Sequence, residues 1–197
     1  METTMLFEFV DRILDRKPLR ISEENGVVRY RVGYGASDAE QILSVLSRLI
    51  SEYGVDPRIR RFTTSLFGNT VGNDDRSGQV RAITSFMSDH VRYVRDPLGV
   101  EYVRSPFAML DEYEKFGLAN GDCDDQVLLS GAMFHSIGFA TRPVGIHLFD
   151  SEYHDHVALQ VQGDNGRVVN YDPCNPSDPF AEPKGDILPG QFAPENS

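Results

Sequence analysis

The sequence contains few of the features that mark secreted or membrane-bound proteins. Its 197 residues include two cysteines and no tryptophan, and two cysteines cannot build the disulfide framework of a small secreted domain. No run approaches the roughly 18 consecutive apolar residues that a membrane helix needs. The opening Met1-Glu2-Thr3 lacks the basic region of a secretory signal. We therefore expect a cytoplasmic protein with no membrane partner.

Positive charge is also scarce in this chain. Lysine and arginine number 19 against 30 aspartates and glutamates, which gives a formal net charge of -11. An acidic chain is poorly suited to neutralising phosphates, so we expect no nucleic-acid partner. The hydrophobic fraction of 40% and the charged fraction of 25% are those of an ordinary globular protein. The length allows one domain with a hydrophobic core and terminal extensions.

Hydrophobic patterns and turn signals divide the chain into four predicted segments. They are an N-terminal arm with a β-hairpin (1–35), a helical extension (36–77), a core (78–176) and a proline-rich tail (177–197). The hairpin is predicted at Asn25-Gly26, a common two-residue turn. The tail is expected to be extended, either flexible or docked along the body.

The second half of the chain shows an α+β pattern. A helix is predicted from about Cys123 to Ile137, and three strand-like runs follow it at 140–148, 157–161 and 167–171. Asp164-Asn165-Gly166 is a turn signal between the last two runs. A helix followed by antiparallel strands indicates the α+β class.

Cys123 has the surroundings of a nucleophilic thiol. It follows Gly121 and opens the predicted helix. The unpaired N–H groups and the dipole of a helix N-terminus favour the thiolate, and the same amides are candidates for an oxyanion hole. The three aspartates around the cysteine oppose the anion, so a histidine must supply part of the stabilisation. The alternative is that Cys123 is a small buried apolar side chain.

His156 is the predicted base for that thiol. It opens a strand in which alternation places it with Ala158 on one face, while the opposite face is apolar and points to the core. Two other histidines compete for the role. His154 precedes the strand in a polar loop, and His147 lies on the strand before.

Asp172 is the predicted third member, because it closes the last strand. Pairing residue 161 with residue 167 across the turn places Asp172 directly opposite His156. A carboxylate there would fix the imidazole tautomer and stabilise its charge. The alternative is that Asp172-Pro173 only begins a turn.

A metal site is a competing interpretation of the same residues. Two cysteines and two histidines could in principle bind zinc as a Cys2His2 site, namely Cys123, His154, His156 and Cys174. The chain has no Cys-x-x-Cys pair, and the gap between the first cysteine and the histidines is long. The metal site is therefore the weaker interpretation of these residues.

The order of these motifs resembles the transglutaminase-like superfamily, in particular its phage and prophage branch. The resemblance covers about residues 78–176 and rests on six runs: His90–Pro97, Ser105-Pro106, Gly121–Asp125, Ile137–Arg142, His156-Val157 and Tyr171–Pro173. It implies a papain-like α+β core in which a nucleophile-bearing helix packs on an antiparallel sheet, with the N-terminal hairpin and helices as an extension. It also implies that the protein uses no metal and no organic cofactor.

The resemblance also implies a chemistry. Cys123 would attack a carboxamide or peptide carbonyl, His156 would transfer the proton, and Asp172 would orient His156. Tyr93 is a candidate for the oxyanion-hole side chain. The expected function is a cysteine hydrolase, a peptidase or amidase that acts on a protein or peptide through a thioester acyl-enzyme.

Two alternatives to hydrolysis stay open at this point. One is acyl transfer, as in a transglutaminase. The other is a non-catalytic structural or adaptor component of a phage particle, which would bind other phage structural proteins through the arm or the tail. That second alternative would place the protein in the host cytoplasm and in the virion.

Overall fold

The computed structural model describes residues 21–30, 38–68, 71–72, 74–95, 103–147 and 156–193. Within these ranges the helices are α1 (Asp38–Gly54), α2 (Pro57–Ser65), α3 (Arg76–His90), α4 (Pro106–Phe116) and α5 (Cys123–Ser136). The strands are β1 (Ile21–Glu24), β2 (Val27–Tyr30), β3 (Val91–Tyr93), β4 (Val103–Arg104), β5 (Ala119–Gly121), β6 (Ala140–Ile146), β7 (His156–Gln162), β8 (Val168–Tyr171) and β9 (Ile187–Pro189).

Local sequence explains where several helices begin and end. Asp56 caps α2 by accepting a hydrogen bond from the Arg58 N–H, and Ser105 caps α4 in the same way. Proline occupies the first position of both helices, where no N–H is needed. Gly117 ends α4 with a φ of 76°, which glycine adopts without strain.

The main sheet has four antiparallel strands in the order β8-β7-β6-β9. Helix α5 packs on one face of this sheet, and α1 packs against α5. Leu159 and Val161 of β7 point into the resulting core, where they join the apolar residues of α5 and α1. A single hydrophobic cluster therefore holds the sheet and the helices together.

Two smaller sheets flank the start of α5. The hairpin β1–β2 extends to β4 as a three-stranded sheet, and its turn places both Asn25 and Gly26 at positive φ. Strands β3 and β5 pair in parallel, with Tyr93 beside Gly121. This pairing brings residues 91–93 next to the loop that leads into Cys123.

The predicted fold class is confirmed. The structure is α+β, the helix that begins at Cys123 packs on an antiparallel sheet, and a hairpin precedes the helices. The division of the chain into four segments remains a prediction. Residues 1–20, which form most of the predicted arm, lie outside the described residues.

The C-terminal segment lies on the body of the protein. Strand β9 pairs with β6, with Leu188 opposite Gly145, and the Ser47 hydroxyl of α1 donates to the carbonyl oxygen of Gln191 over 2.7 Å. Of the two states expected for the tail, the docked one is found through residue 193. None of the helices in the described ranges is long and apolar enough to cross a membrane.

Candidate active site

Cys123 is the first residue of α5, and a reciprocal cap fixes the start of this helix. The Asp122 carboxylate accepts from the Asp125 N–H at 3.5 Å, and the Asp125 carboxylate accepts from the Asp122 N–H at 3.3 Å. Gly121 allows the close approach, because a Cβ there would lie 2.7 Å from the Cβ of Asp125. The motif Gly121–Asp125 thus builds the turn that presents the thiol.

Asp125 also connects this turn to the neighbouring sheet. Its second oxygen accepts from the Arg104 N–H of β4 at 2.6 Å. The Arg104 guanidinium in turn donates to Glu112 of α4 at 2.8 Å and to the carbonyl oxygen of Asn120. The backbone on both sides of the nucleophile is therefore held by side chains of two other elements.

His156 and Asp172 lie together as a hydrogen-bonded pair. Nε2 of His156 lies 2.9 Å from Oδ2 of Asp172, and both side chains are largely buried. The other Asp172 oxygen accepts from the Cys174 N–H at 2.9 Å, so the carboxylate is fixed in orientation. With the Nε2 proton donated to Asp172, the lone pair of the neutral imidazole lies on Nδ1.

The register predicted for this pair was wrong, although the two residues do meet. Leu159 pairs with Tyr171, so Asp172 falls opposite Ala158 and reaches His156 diagonally. The loop between β7 and β8 is the reason. It spans residues 163–167, and a hydrogen bond from the Gly163 N–H to the Arg167 carbonyl closes it, which sets the pairing two residues away from the predicted one. A shift of two residues keeps side chains on the same face, and a diagonal pair is within reach of polar side chains.

The Cys123 sulfur lies beside the start of β7. It accepts hydrogen bonds from the backbone N–H groups of Val157 and Asp124, and both bonds lower the thiol pKa. Burial and then the charge of Asp124 raise that pKa more strongly, to about 12. The sequence predicted a lowered thiol pKa, and this prediction was wrong. The stabilisation from the backbone N–H groups is smaller than the combined effect of burial and the Asp124 charge. The structure shows no hydrogen bond between the described side chains of Cys123 and His156.

The aspartates around Cys123 form a buried cluster. Asp122, Asp124 and Asp125 are each less than 8% exposed, and they are the one group of candidate metal ligands among the described residues. Burial raises the pKa of Asp124 well above its usual value and that of Asp125 to about 7. Asp122 and Asp125 cap the helix, Asp125 also binds the Arg104 N–H, and Asp124 is hydrogen-bonded to Asp122. The structure of the turn therefore accounts for the cluster.

His147 and His154 are the two histidines that compete with His156 for the role of base, and His154 is also a ligand in the zinc alternative. His154 lies outside the described residues. His147 follows β6, and its N–H donates to the Asp186 carbonyl of the C-terminal segment. His156 already uses Nε2 for Asp172, which leaves one ring nitrogen for any other role.

A cavity of about 510 Å³ opens beside the His156–Asp172 pair. Tyr93 and Cys174 lie in its wall. The pKa of Tyr93 is raised by burial first and by the Cys123 charge second, which places the phenol near the thiol. From the sequence, Cys174 is considered only as a zinc ligand, because its position three residues after the end of β8 carries no other signal.

The chain can be compared with protein families, with curated proteins and with solved structures. No protein-family model matches the chain, and no curated protein matches it. A solved structure of a candidate cysteine protease from Cytophaga hutchinsonii superimposes with a TM-score of 0.47 at 15% sequence identity. The superposition covers 81% of this chain and 55% of the other, so this chain spans about half the length of that protein.

Proposed function

We propose that the protein is a cysteine hydrolase, a peptidase or amidase that acts on a carboxamide of a protein or peptide. The observation that carries the proposal is the 2.9 Å bond between His156 and Asp172 in the wall of a cavity. Cys123 adjoins this pair, because its sulfur is bound by the N–H of Val157, the residue after His156. A nucleophile, a base and an orienting carboxylate are thus adjacent.

The reaction would proceed through a thioester. Nδ1 of His156 takes the thiol proton as the sulfur attacks the carbonyl carbon, which gives a tetrahedral oxyanion. The carbon–nitrogen bond then breaks, and the imidazolium gives its proton to the leaving amine. Water, deprotonated by the same imidazole, then attacks the thioester carbon. The carbon–sulfur bond breaks, the acid is released, and the imidazolium returns its proton to the thiolate. Tyr93 is the candidate donor to the oxyanion, because its phenol borders the cavity.

The raised thiol pKa determines how the proton is removed. With a pKa of about 12, Cys123 is a neutral thiol at rest. His156 therefore acts as a general base during the attack, as it does for a serine nucleophile, instead of storing the proton in a resting ion pair. The attack requires the sulfur to leave its hydrogen bond with the Val157 N–H and approach Nδ1 of His156.

The neutral thiol supports a second candidate function as well. A neutral thiol with no bond to His156 is also what a non-catalytic relative would show. In that case the protein is a structural or adaptor component, and a phage particle is the proposed setting. Acyl transfer to an amine is a further alternative that uses the same residues and differs from hydrolysis only in the acceptor.

The proposal is tested by incubating the protein with a mixture of peptides that contain glutamine and asparagine. New termini and released ammonia, measured by mass spectrometry and an ammonia assay, separate peptidase from amidase activity. We expect turnover by the wild type and by Cys174→Ser, and none by Cys123→Ala. Equal turnover by Cys123→Ala would contradict the proposal. Added amine that appears in the products would favour acyl transfer.

A further inference from the structure

The cavity beside His156 is built from two parts of the chain that are far apart in sequence. Its floor is the outer face of the main sheet, on the side opposite α5, where Ile146 and Ala158 lie. Its outer wall is a segment that we call the C-terminal strap, residues 175–184. The His156–Asp172 pair and Tyr93 also line the cavity, and Tyr93 is close enough to Cys123 for an ionised thiol to raise the pKa of its phenol, after burial.

Hydrogen bonds hold the strap against the sheet. The Asp172 N–H donates to the Pro179 carbonyl at 2.8 Å, and the Asn170 amide donates to the Glu182 carboxylate at 2.9 Å. After the strap, the chain passes so close to β6 that a Cβ on Gly185 would lie 1.8 Å from the His147 carbonyl oxygen. The wall is therefore part of the folded structure, and the cavity is preformed.

The two amide side chains of the lining, Asn170 and Asn175, already have partners within the protein. The Asn170 oxygen accepts from Gln160 at 2.8 Å while its nitrogen donates to Glu182. The Asn175 oxygen accepts from Ser177, and its nitrogen donates to the Asp178 carbonyl. An occupant with its own polar groups would have to displace these bonds, which makes it costly to bind.

The surfaces left for an occupant are apolar. Ile146 and Ala158 contribute methyl groups from the floor. The Ala181 methyl and the Pro183 ring methylenes come from the strap, and Tyr171 also lines the cavity. The volume of about 510 Å³ is larger than one side chain requires, so a leucine-sized group and its backbone fit together. Lys184 and Glu182 stand at the exposed rim with opposite charges and favour neither sign.

We propose that this cavity is the subsite for an apolar side chain on the acyl side of the scissile bond. The proposal rests on the hydrolase function proposed above. The acyl half stays bound to Cys123 as a thioester while the leaving amine departs, so a walled cavity that adjoins the base suits the acyl half. Ala181 and Ala158 set the size of the side chain that is accepted.

The test uses peptidyl chloromethyl ketones with leucine, glycine, glutamate or lysine at the first or second residue before the ketone. The thiol sulfur displaces chloride from the methylene carbon, the carbon–sulfur bond forms, and the thiol proton passes to His156. The rate of Cys123 labelling is followed by peptide mapping, which separates it from Cys174. In at least one series we expect leucine to exceed the other three residues by about tenfold or more.

Variants assign that preference to the cavity. Ala181→Leu fills the cavity from the strap, and we expect it to abolish the leucine preference. Ala158→Leu fills it from the floor and provides a second test if the first variant unfolds, which circular dichroism reports. Val168→Leu enlarges an apolar side chain by one methylene on β8, at a site 37% exposed and outside the lining, so it should keep the preference.

The outcomes separate this proposal from the proposed function. Equal labelling of Cys123 by all probes in both series, or a preference for glutamate or lysine, overturns the apolar subsite. If that labelling is still lost in His156→Ala, the hydrolase proposal survives. Labelling that does not depend on His156, or that falls on Cys174 instead, overturns the hydrolase proposal itself.

Discussion

At the scale of single residues, the bond between His156 and Asp172 decides whether the imidazole can act as a base. Asp172→Asn keeps the size of the side chain but removes one of two acceptors, so either His156 or the Cys174 N–H loses its partner. We expect the rate of Cys123 acylation by an activated ester to fall by about a hundredfold or more. Stopped-flow measurement checks this, and a change below about threefold would remove Asp172 from the mechanism.

The charge next to the thiol gives a second prediction at this scale. Burial, and next the charge of ionised Asp124, raise the pKa of Cys123. Because the pKa of Asp124 is itself raised, Asp124→Asn should speed alkylation by iodoacetamide at alkaline pH, where the carboxylate is charged, by roughly threefold to tenfold. Asp164→Asn serves as the control. Asp164 lies just after the C-terminal end of β7, whereas His156 is at its N-terminal end. No acceleration, or an equal one in the control, would show that Asp124 does not govern the thiol.

The sequence was informative about these residues to different degrees. Alternation along β7 and the turn after it placed Asp172 near His156, because side-chain direction depends only on parity. The register was two residues off, since the sequence does not reveal how many residues the loop leaves unpaired. The direction of the Cys123 pKa was wrong, because burial is a property of the whole fold and the helix start is only one contribution.

At the scale of elements, the close packing of α5 on α1 fixes the position of the nucleophile. A Cβ on Gly131 would lie 2.7 Å from Cδ1 and 2.9 Å from Cγ1 of Ile50, a fully buried residue of α1. Gly131→Ala should therefore lower the free energy of unfolding by about 1–2 kcal/mol, despite the higher helix propensity of alanine.

Chemical denaturation checks the prediction for Gly131. Gly72→Ala is the matched control, because nothing lies within 4 Å of a Cβ there, and it should be neutral. An unchanged or raised stability for Gly131→Ala would show that the two helices can separate without cost.

The sequence predicted the longer elements better than the short ones. The helix expected from Cys123 to about Ile137 is found at Cys123–Ser136, and the three strands expected after it are β6, β7 and β8. Strands β3, β4, β5 and β9 were not predicted. They span two or three residues each, which is too short for alternation to appear, and their pairing depends on tertiary contacts.

At the scale of the whole molecule, the C-terminal segment completes the main sheet. Strand β9 covers the edge of β6, and the Gly190 and Ala193 N–H groups donate to the carbonyl oxygens of Pro143 and Thr141. A chain that ends at residue 185 should lose about 2 kcal/mol or more of stability and associate through the exposed edge. Denaturation and light scattering check this, and a stable monomer would contradict the docked arrangement.

The proline content of this segment predicted an extended chain but not where it docks. Apolar clustering likewise predicted a core, yet no local pattern indicates that α1, from the predicted helical extension, packs against α5. Such contacts join residues more than 70 positions apart, and local patterns carry no information about them.

The acylation of Cys123 by p-nitrophenyl acetate tests the central claim most directly, because it requires no natural substrate. The thiol takes the acetyl group, p-nitrophenolate leaves, and intact-mass spectrometry with peptide mapping locates the thioester. We predict acylation at Cys123, its turnover by water, and a loss of rate of about a hundredfold or more in His156→Ala. Equal rates in wild type and His156→Ala, or acetylation of Cys174 in place of Cys123, would contradict a catalytic unit of Cys123, His156 and Asp172.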